Sequence, residues 1–476
     1  MPVWSRMHCG AVGIYRPFLW ILAVLLGAWT SPVLSAPEPS SVPDEIDQIV
    51  ARQMQLNQIP GVAVAVIEQG RVVKLAAYGS ANLEWNTPVG TDTRFQLASA
   101  TKMMTGLLLM RLVEQKKLGL DDPLTRWIPE APASWSAIRV RQLADHTSGL
   151  AEQHGAARDA TLSDILAAAM AAPLAYSPGT EARYGFTDFA VLRVILEKAG
   201  GDTLPQMLRR ELFEPLDMRE TAFANASDDG TVRVGDILPR RAQIYGLRDD
   251  ELTTSDFFFA PQGYGAGGLF ASVGDLAKLF TALDEGRVLS AQSLREIETP
   301  ATLSNGKRAP FGLGWIVRPY GGDTLAGHSG GPALADIWRI EDRKLTVIVL
   351  SNQQVQHPLL AEAIIGTLQP PSLREPAASD DHPEIAANIR MALTRAAAGD
   401  QGATAAFAPS GEDAAQSLGS PFARAMLRGM GPLRRVELVG VKADGDRRYR
   451  LTFAYKTVVW LASANADGRL IGFRPE

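Results

Sequence analysis

The sequence predicts an α+β fold, an antiparallel sheet backed by helices, followed by a second and smaller α+β unit. Three observations carry that expectation. Hairpin-like patterns at Gly61 to Tyr78 and at Asp336 to Leu350 stand at the two ends of residues 44 to 370. The middle, from Leu120 to Gly230, reads as mostly helical and is punctuated by Pro and Gly. After a Pro-rich break, four short alternating runs recur near the C-terminus.

Taken in order, the chain begins with Arg6 and Arg16 ahead of the apolar run Phe18 to Trp29, and Val33-Leu34-Ser35-Ala36 offers small residues for cleavage. This layout predicts a secretory signal over residues 1–36. Its apolar stretch, about 12 residues, is short for a bilayer span, so a retained signal anchor is the competing reading. The mature chain would then be secreted or periplasmic, with no stable membrane span.

The single cysteine, Cys9, lies in that segment, which leaves no thiol, disulfide or cysteine metal site beyond it. A chain of 476 residues, 46% apolar and 21% charged, has enough core to fold without disulfides. Removing residues 1–36 takes away two arginines and no acid, moving the formal charge from −5 to −7. That balance argues against a nucleic-acid partner.

Residues 37–43, with Pro37, Pro39 and Pro43, read as a tether. Ile46, Ile49, Val50 and Met54 then give a helical stripe. Gly61 to Ile67, a turn at Gln69-Gly70 and Val72 to Tyr78 predict a hairpin, and Met103 to Val113 a buried helix. Further helices are expected at Leu162–Met170, Phe186–Ala199 and Leu204–Leu212, and after the capping-box-like Ser272-Val273-Gly274-Asp275. Gly314 to Val317 and the hairpin around Asp342-Arg343 return to strand, so strands from both ends should pair across the helical middle.

Residues 44–369 are therefore read as the main domain and 370–383 as a linker. Residues 384–476 are read as an accessory α+β unit with a helix at Glu384–Ala397, a Gly/Ala/Ser-rich passage and four alternating runs.

The chemistry centres on Phe95-Gln96-Leu97-Ala98-Ser99-Ala100-Thr101-Lys102, where a polar lead-in meets the apolar helix. Positions i and i+3 of a helix share one face, so the Lys102 amine can reach the Ser99 hydroxyl. The helix N-terminus favours an anion near the serine oxygen. To act as a base, the lysine must fall roughly 3 units from its ordinary pKa of about 10.4, and burial can supply that. A second copy of the spacing, Ser304-Asn305-Gly306-Lys307, contains Asn-Gly and meets Pro310, a turn composition that holds no helical register.

A proton-shuttling partner and close backbone access are the remaining needs of acyl transfer. Tyr184 follows Pro178-Gly179-Thr180 at another loop-to-helix junction, and Gly327-His328-Ser329-Gly330-Gly331 lies between strand-like segments. Either alone reads more simply as structural. In the order Ser-x-x-Lys, Tyr, His-x-Gly, together with Leu143-Ala144-Asp145-His146-Thr147-Ser148-Gly149-Leu150, Phe213-Glu214-Pro215-Leu216-Asp217-Met218, Gly267-Gly268-Leu269 and Phe311-Gly312-Leu313-Gly314-Trp315, they form a pattern. The sequence resembles, from about residue 44 to 367, the β-lactamase-related serine hydrolases: class C β-lactamases, D-alanyl-D-amino acid carboxypeptidase-like proteins and certain esterases.

The resemblance implies a class C β-lactamase-like fold, an antiparallel sheet flanked by helices beside an all-helical region with the site between them, and no cofactor or metal. It also implies roles. Ser99 attacks the carbonyl, Lys102 and Tyr184 accept and return the proton, and His328 hydrogen bonds Tyr184 or a substrate carboxylate. Gly330 and Gly331 line the oxyanion site, and His146 fixes the turn at Thr147-Ser148-Gly149. One departure stands out: Tyr184-Gly185-Phe186 replaces the family's Tyr-x-Asn, and for Asp188, one turn on, two readings stand, that it takes over part of that amide's role against substrate or, as is commoner for an Asp there, that it favours the helix N-terminus.

The expected activity is a serine hydrolase acting through an acyl-enzyme on a small-molecule or peptide substrate, an ester or a D-amino-acid peptide or β-lactam-like amide. Two alternatives stand beside it. One is a non-catalytic binding protein of the same fold. The other is an α/β-hydrolase using Ser329 of Gly-x-Ser-x-Gly with His357 or His382 as base, although Pro332 and a strand-like run follow where that motif needs a helix.

Overall fold

The long apolar run at Gly61 forms the inner strand of a sheet buried on both faces. The computed structural model describes residues 44–152, 160–224, 226–228, 233–248, 251–255, 259–331, 334–354, 360–369 and 376–475. The segments read as leader and tether, residues 370–375 of the linker, Cys9, Pro332 and His357 lie outside these.

Seven strands pair antiparallel in the spatial order Ile316–Tyr320, Asp323–Gly330, Ala335–Ile340, Leu345–Ser351, Gly61–Glu68, Arg71–Asn82 and Thr87–Pro88. The N-terminal hairpin thus joins the late strands through Gly61–Glu68 against Leu345–Ser351, with Val62 opposite Ser351 and Glu68 opposite Leu345. Its turn places Gln69 and Gly70 at φ 51° and 73°, the left-handed conformation that a two-residue hairpin loop demands.

Alternation along the inner strand explains the absence of a polar face. Ala63, Ala65 and Ile67 enter the large core with Leu279, Phe280 and Met103, whereas Val62, Val64 and Val66 meet Ile46, Val50, Ile364 and Ile365 on the other side. Helices Glu45–Asn57 and Leu360–Leu368 cover that second face. Asp44 and Asp47 close the first helix with a reciprocal capping box.

The helical middle is present, with helices Leu162–Ala171 and Thr187–Gly200 among its longer members. Leu204–Leu212, expected as one helix, is α-helical only to Leu208 and continues as a wider π-type turn over Arg209–Phe213. Short strands there were not legible in the sequence. Phe95–Gln96, Leu269–Ala271 and Ala222–Phe223 form a three-stranded sheet, and Tyr245–Arg248 pairs with Glu251–Thr254. Segments of two to four residues carry too little periodicity to announce themselves.

Residues 376–475 hold their own four-stranded antiparallel sheet, Leu433–Val441, Arg447–Phe453, Thr457–Ala464 and Leu470–Pro475, and a separate core around Ile389, Leu427, Tyr449 and Leu451. The stretch read as a Gly/Ala/Ser-rich passage contains two helices, Glu412–Gly419 and Pro421–Met430. The described end of the linker is tied down: Arg447 bonds Asp380 and Asp381, and Ala378 N donates to Leu438 O at 2.7 Å.

Residues 44 to 476 form one compact unit. Gln53 Nε2 donates to Gly429 O at 2.9 Å, Arg52 lies 4.3 Å from the Tyr455 ring centroid, and Lys456 pairs with buried Glu362. Among the described residues, no helix is long and apolar enough to cross a membrane.

Candidate active site

Ser99 does not sit in the α-helix itself. It occupies a single 3₁₀ turn, Ala98–Ala100, that leads directly into the helix Thr101–Glu114. Ala98 takes φ 46°, an uncommon left-handed conformation for a residue with a Cβ, and local strain of this kind concentrates at sites of function. The turn is pinned by Leu97 N, which donates to Leu269 O at 2.8 Å. On its other side strand Asp323–Gly330 comes so close that a Cβ on Gly330 would lie 2.1 Å from Leu97 O. Glycine at 330 is thus a requirement of packing between the two motifs.

Lys102 is buried, only 3% exposed, and does not reach into water. Its Nζ donates to Tyr184 Oη at 2.8 Å and to Ala266 O at 3.0 Å. It also lies 4.7 Å from the ring centroid of Tyr184 and 5.3 Å from that of Phe189. Among the described residues no carboxylate forms an ion pair with it. An amine held among aromatic rings and a phenol, without a salt-bridge partner, is a setting suited to proton transfer. The segment that supplies Ala266 O is fixed from the same helix, Thr105 Oγ1 donating to Gly265 O at 2.8 Å.

Tyr184 arrives from a loop and is 47% exposed. Arg183 N donates to His146 O at 3.0 Å, and Glu152 Oε2 accepts from Phe186 N and Thr187 N at 2.7 and 3.2 Å, anchoring the residues on either side of Tyr184. A carboxylate over the first N–H groups of helix Thr187–Gly200 is favoured by the unpaired donors and the dipole there. Glu152 lies 34 residues before Phe186 in sequence, and no spacing in the chain announces it.

Under Tyr184 lies a polar cluster of a different kind. His146, at φ 60°, places its ring 4.8 Å from that of Tyr184, 5.2 Å from Phe189 and 5.0 Å from Phe311. Its Nδ1 meets Asp188 Oδ2 at 2.9 Å, and Ser148 Oγ donates to Asp188 Oδ1 at 2.5 Å. Burial pushes Asp188 up to about 8, against the Ser148 hydrogen bond and the charge of Lys102, which act to lower it. Burial, and then the charge of Lys102, pushes His146 down to about 3. The expectation that Asp188 takes a substrate-binding role is corrected here: its carboxyl is buried, and both oxygens are occupied by His146 and Ser148.

His328 is brought to the same cluster from strand Asp323–Gly330, its ring centroid 5.9 Å from that of Tyr184. The two meet ring to ring; of the two partners expected for His328, Tyr184 and a substrate carboxylate, the first makes no hydrogen bond with it among the described residues. Nδ1 lies 2.6 Å from Ser329 O, and a carbonyl only accepts, so Nδ1 carries the proton and Nε2 is left as an acceptor. Burial and the charge of Lys102 push this imidazole down to about 3, which keeps it neutral.

Gly331 forms the turn after the strand. Ser329 belongs to the scaffold: its Oγ donates to Asp336 Oδ1 at 2.9 Å, alongside Trp338 Nε1 at 2.6 Å. Gly330 closes one strand and Ala335–Ile340 is the next, so the strand-then-helix context of a nucleophile elbow is missing. The α/β-hydrolase alternative is overturned by that topology. The second Ser-x-x-Lys is a surface turn, with Gly306 at φ 80° and Leu303 N donating to Lys307 O at 2.8 Å. Among the described residues no group of His, Cys, Asp and Glu could hold a metal ion.

Residues 46–368 match the model of the Beta-lactamase family. The chain belongs to the Beta-lactamase family. The family is one of serine hydrolases, and its curated members similar to this chain include a penicillin-binding protein and an esterase. Penicillin-binding protein 4* of Bacillus subtilis (strain 168) is 28% identical over 315 residues, 63% of this chain and 69% of that one. Esterase EstB of Burkholderia gladioli is 29% identical over 226 residues, 43% of this chain and 57% of the other. In fold, the chain is similar to a D-amino acid amidase from Ochrobactrum anthropi SV3, with TM-score 0.58 and 23% identity, covering 68% of this chain and 99% of the amidase. The sheet with helices on both faces is the family's architecture, and the 108 residues after the matched region lie beyond the family model.

Proposed function

We propose that the chain is a serine hydrolase that forms an acyl-enzyme on Ser99 and that it favours neutral carboxylic esters over substrates with a free carboxylate. The observation that carries the reading is the 2.8 Å hydrogen bond between buried Lys102 and Tyr184, one turn beyond Ser99. In the first half-reaction the Ser99 oxygen bonds to the substrate carbonyl carbon while its proton passes to the Lys102 and Tyr184 couple. The tetrahedral intermediate collapses as the C–O bond to the alcohol breaks, and the couple returns the proton to that leaving oxygen. Water repeats the sequence, and an acid leaves. Backbone N–H groups of Ser99 and Gly331 are the proposed oxyanion donors.

Two features support the preference for an ester. Phe186 stands where the family's Tyr-x-Asn carries an amide, and its ring lies in van der Waals reach of Gly263, beside Phe259. His328 is neutral, with its one proton directed at Ser329 O, so it offers a substrate carboxylate neither charge nor donor. Export behind the leader at residues 1–36 belongs to the same proposal, and the N-terminal residue of the mature protein tests it.

Intact-mass analysis after exposure to a fluorophosphonate and, separately, to a penicillin tests the function. A Ser99 adduct with the fluorophosphonate alone is expected. Adducts with both would favour a penicillin-recognising enzyme, and none with either would leave a binding protein of the same fold.

A further inference from the structure

We propose that Asp188 is a positioning residue for the proton-accepting couple: through His146 it holds the Tyr184 ring, and it supplies a buried carboxyl whose charge couples to Lys102. The proposal rests on the reading of Lys102 and Tyr184 as proton acceptors and goes beyond it, because neither Asp188 nor His146 touches the reacting atoms.

The geometry is a continuous path. Ser148 Oγ donates to one oxygen of Asp188, and the other oxygen meets His146 Nδ1. The His146 ring packs on Tyr184 at 4.8 Å, and Tyr184 Oη accepts from Lys102 Nζ at 2.8 Å. The His146 carbonyl also anchors the residue before Tyr184, accepting from Arg183 N at 3.0 Å and from Tyr176 Oη at 3.1 Å. Removing the carboxyl would free the imidazole to turn, and the phenol beside it would lose a wall.

The electrostatic half follows from burial. Lys102 has no ion-pair partner among the described residues, so a carboxyl within electrostatic reach weighs more on its protonation than it would at a surface. The titratable groups around the pair are Lys102, Asp145, Glu152, Tyr176, Tyr184 and His328. Of these, Lys102 favours the ionised form of Asp188, Asp145 opposes it as a like charge, and Glu152 favours a charged His146. One proton on Asp188 and His146 together leaves the pair uncharged. Its loss leaves a negative charge, which attracts a cation at Lys102.

An amide in place of the carboxyl cannot become negative, so the free amine of Lys102 forms at lower pH. The rate of Ser99 modification by a fluorophosphonate is measured from pH 5.5 to 10 on the full chain, as wild type, Asp188→Asn and Ser148→Ala, with thermal unfolding to confirm that each is folded.

The acid limb of the Asp188→Asn profile is expected to move down by roughly 0.5–1 pH unit. Ser148→Ala, which keeps the carboxyl but removes a donor that favours its ionised form, moves it the same way by less. A limb that stays in place or moves up in folded Asp188→Asn overturns the proposal. Should that variant fail to fold, an unmoved limb in Ser148→Ala overturns it. If wild-type Ser99 is not modified at any pH, the acyl-enzyme reading fails, and this proposal with it.

Discussion

Lys102 illustrates how far the surroundings of one lysine can differ from those of another at the same spacing from a serine. A lysine three residues after a serine is a common accident, and here the chain repeats it at Ser304 and Lys307 without consequence. What differs at 102 is burial against Tyr184, Phe189 and Ala266 O. Lys102→Ala is expected to slow fluorophosphonate modification of Ser99 by roughly 10²- to 10⁴-fold, and Tyr184→Phe to slow it as well, the scale of losing a proton acceptor. Stopped-time labelling read by intact mass checks both.

His328 makes a second prediction at this scale. Its imidazole ionises at 6.5 in the unfolded chain and is pushed down to about 3 in the fold, mainly by burial. Between those values the unfolded state binds the extra proton, so stability is lost as pH falls from 6.5 towards 3. His328→Gln should flatten the decline of the melting temperature between pH 6.5 and 4. The same shift predicts no imidazole limb near pH 6.5 in the activity profile.

Among elements, the contact that matters is strand Asp323–Gly330 against the Ser99 turn. A Cβ at 330 would meet Leu97 O at 2.1 Å, a backbone atom with nowhere to retreat. Gly330→Ala is therefore expected to destabilise by about 1–3 kcal/mol, the usual cost of overpacking, and to slow Ser99 labelling by displacing the turn. Thermal unfolding and labelling rate should change together. Gly106 makes the matching point on the helix, where a Cβ would reach Leu313 O at 2.1 Å. A glycine inside a helix usually weakens it, and here it admits the 311–315 loop. The sequence offered both glycines without their reason, because the obstructing carbonyl comes from a distant segment in each case.

At the scale of the molecule, the C-terminal residues are fastened to the part that matches the family by charge as well as by packing. Buried Glu362 receives both Arg318, from the strand beside the His328 strand, and Lys456, from the C-terminal sheet. Lys456→Ala leaves that carboxylate with one cation. It is expected to cost roughly 1–3 kcal/mol of stability, measured by denaturant unfolding, while Lys198→Ala at an exposed pair changes it by less than about 0.5 kcal/mol.

Sequence alone determined the parts whose signal is local. Periodicity located the hairpin at Gln69-Gly70, the helix after Ser99 and the four late strands, and turn composition told Ser99-x-x-Lys102 from its copy at Ser304. Segments of two to four residues escaped, and so did the helices Glu412–Gly419 and Pro421–Met430, which small residues disguised as loop. Tertiary structure alone decided that Asp188 turns inward to His146 and Ser148, that Glu152 caps the helix after Tyr184, and that Ser329 serves Asp336. A hydrogen bond or a buried charge between residues tens of positions apart depends on how the chain returns on itself, and no window of neighbouring residues holds that information.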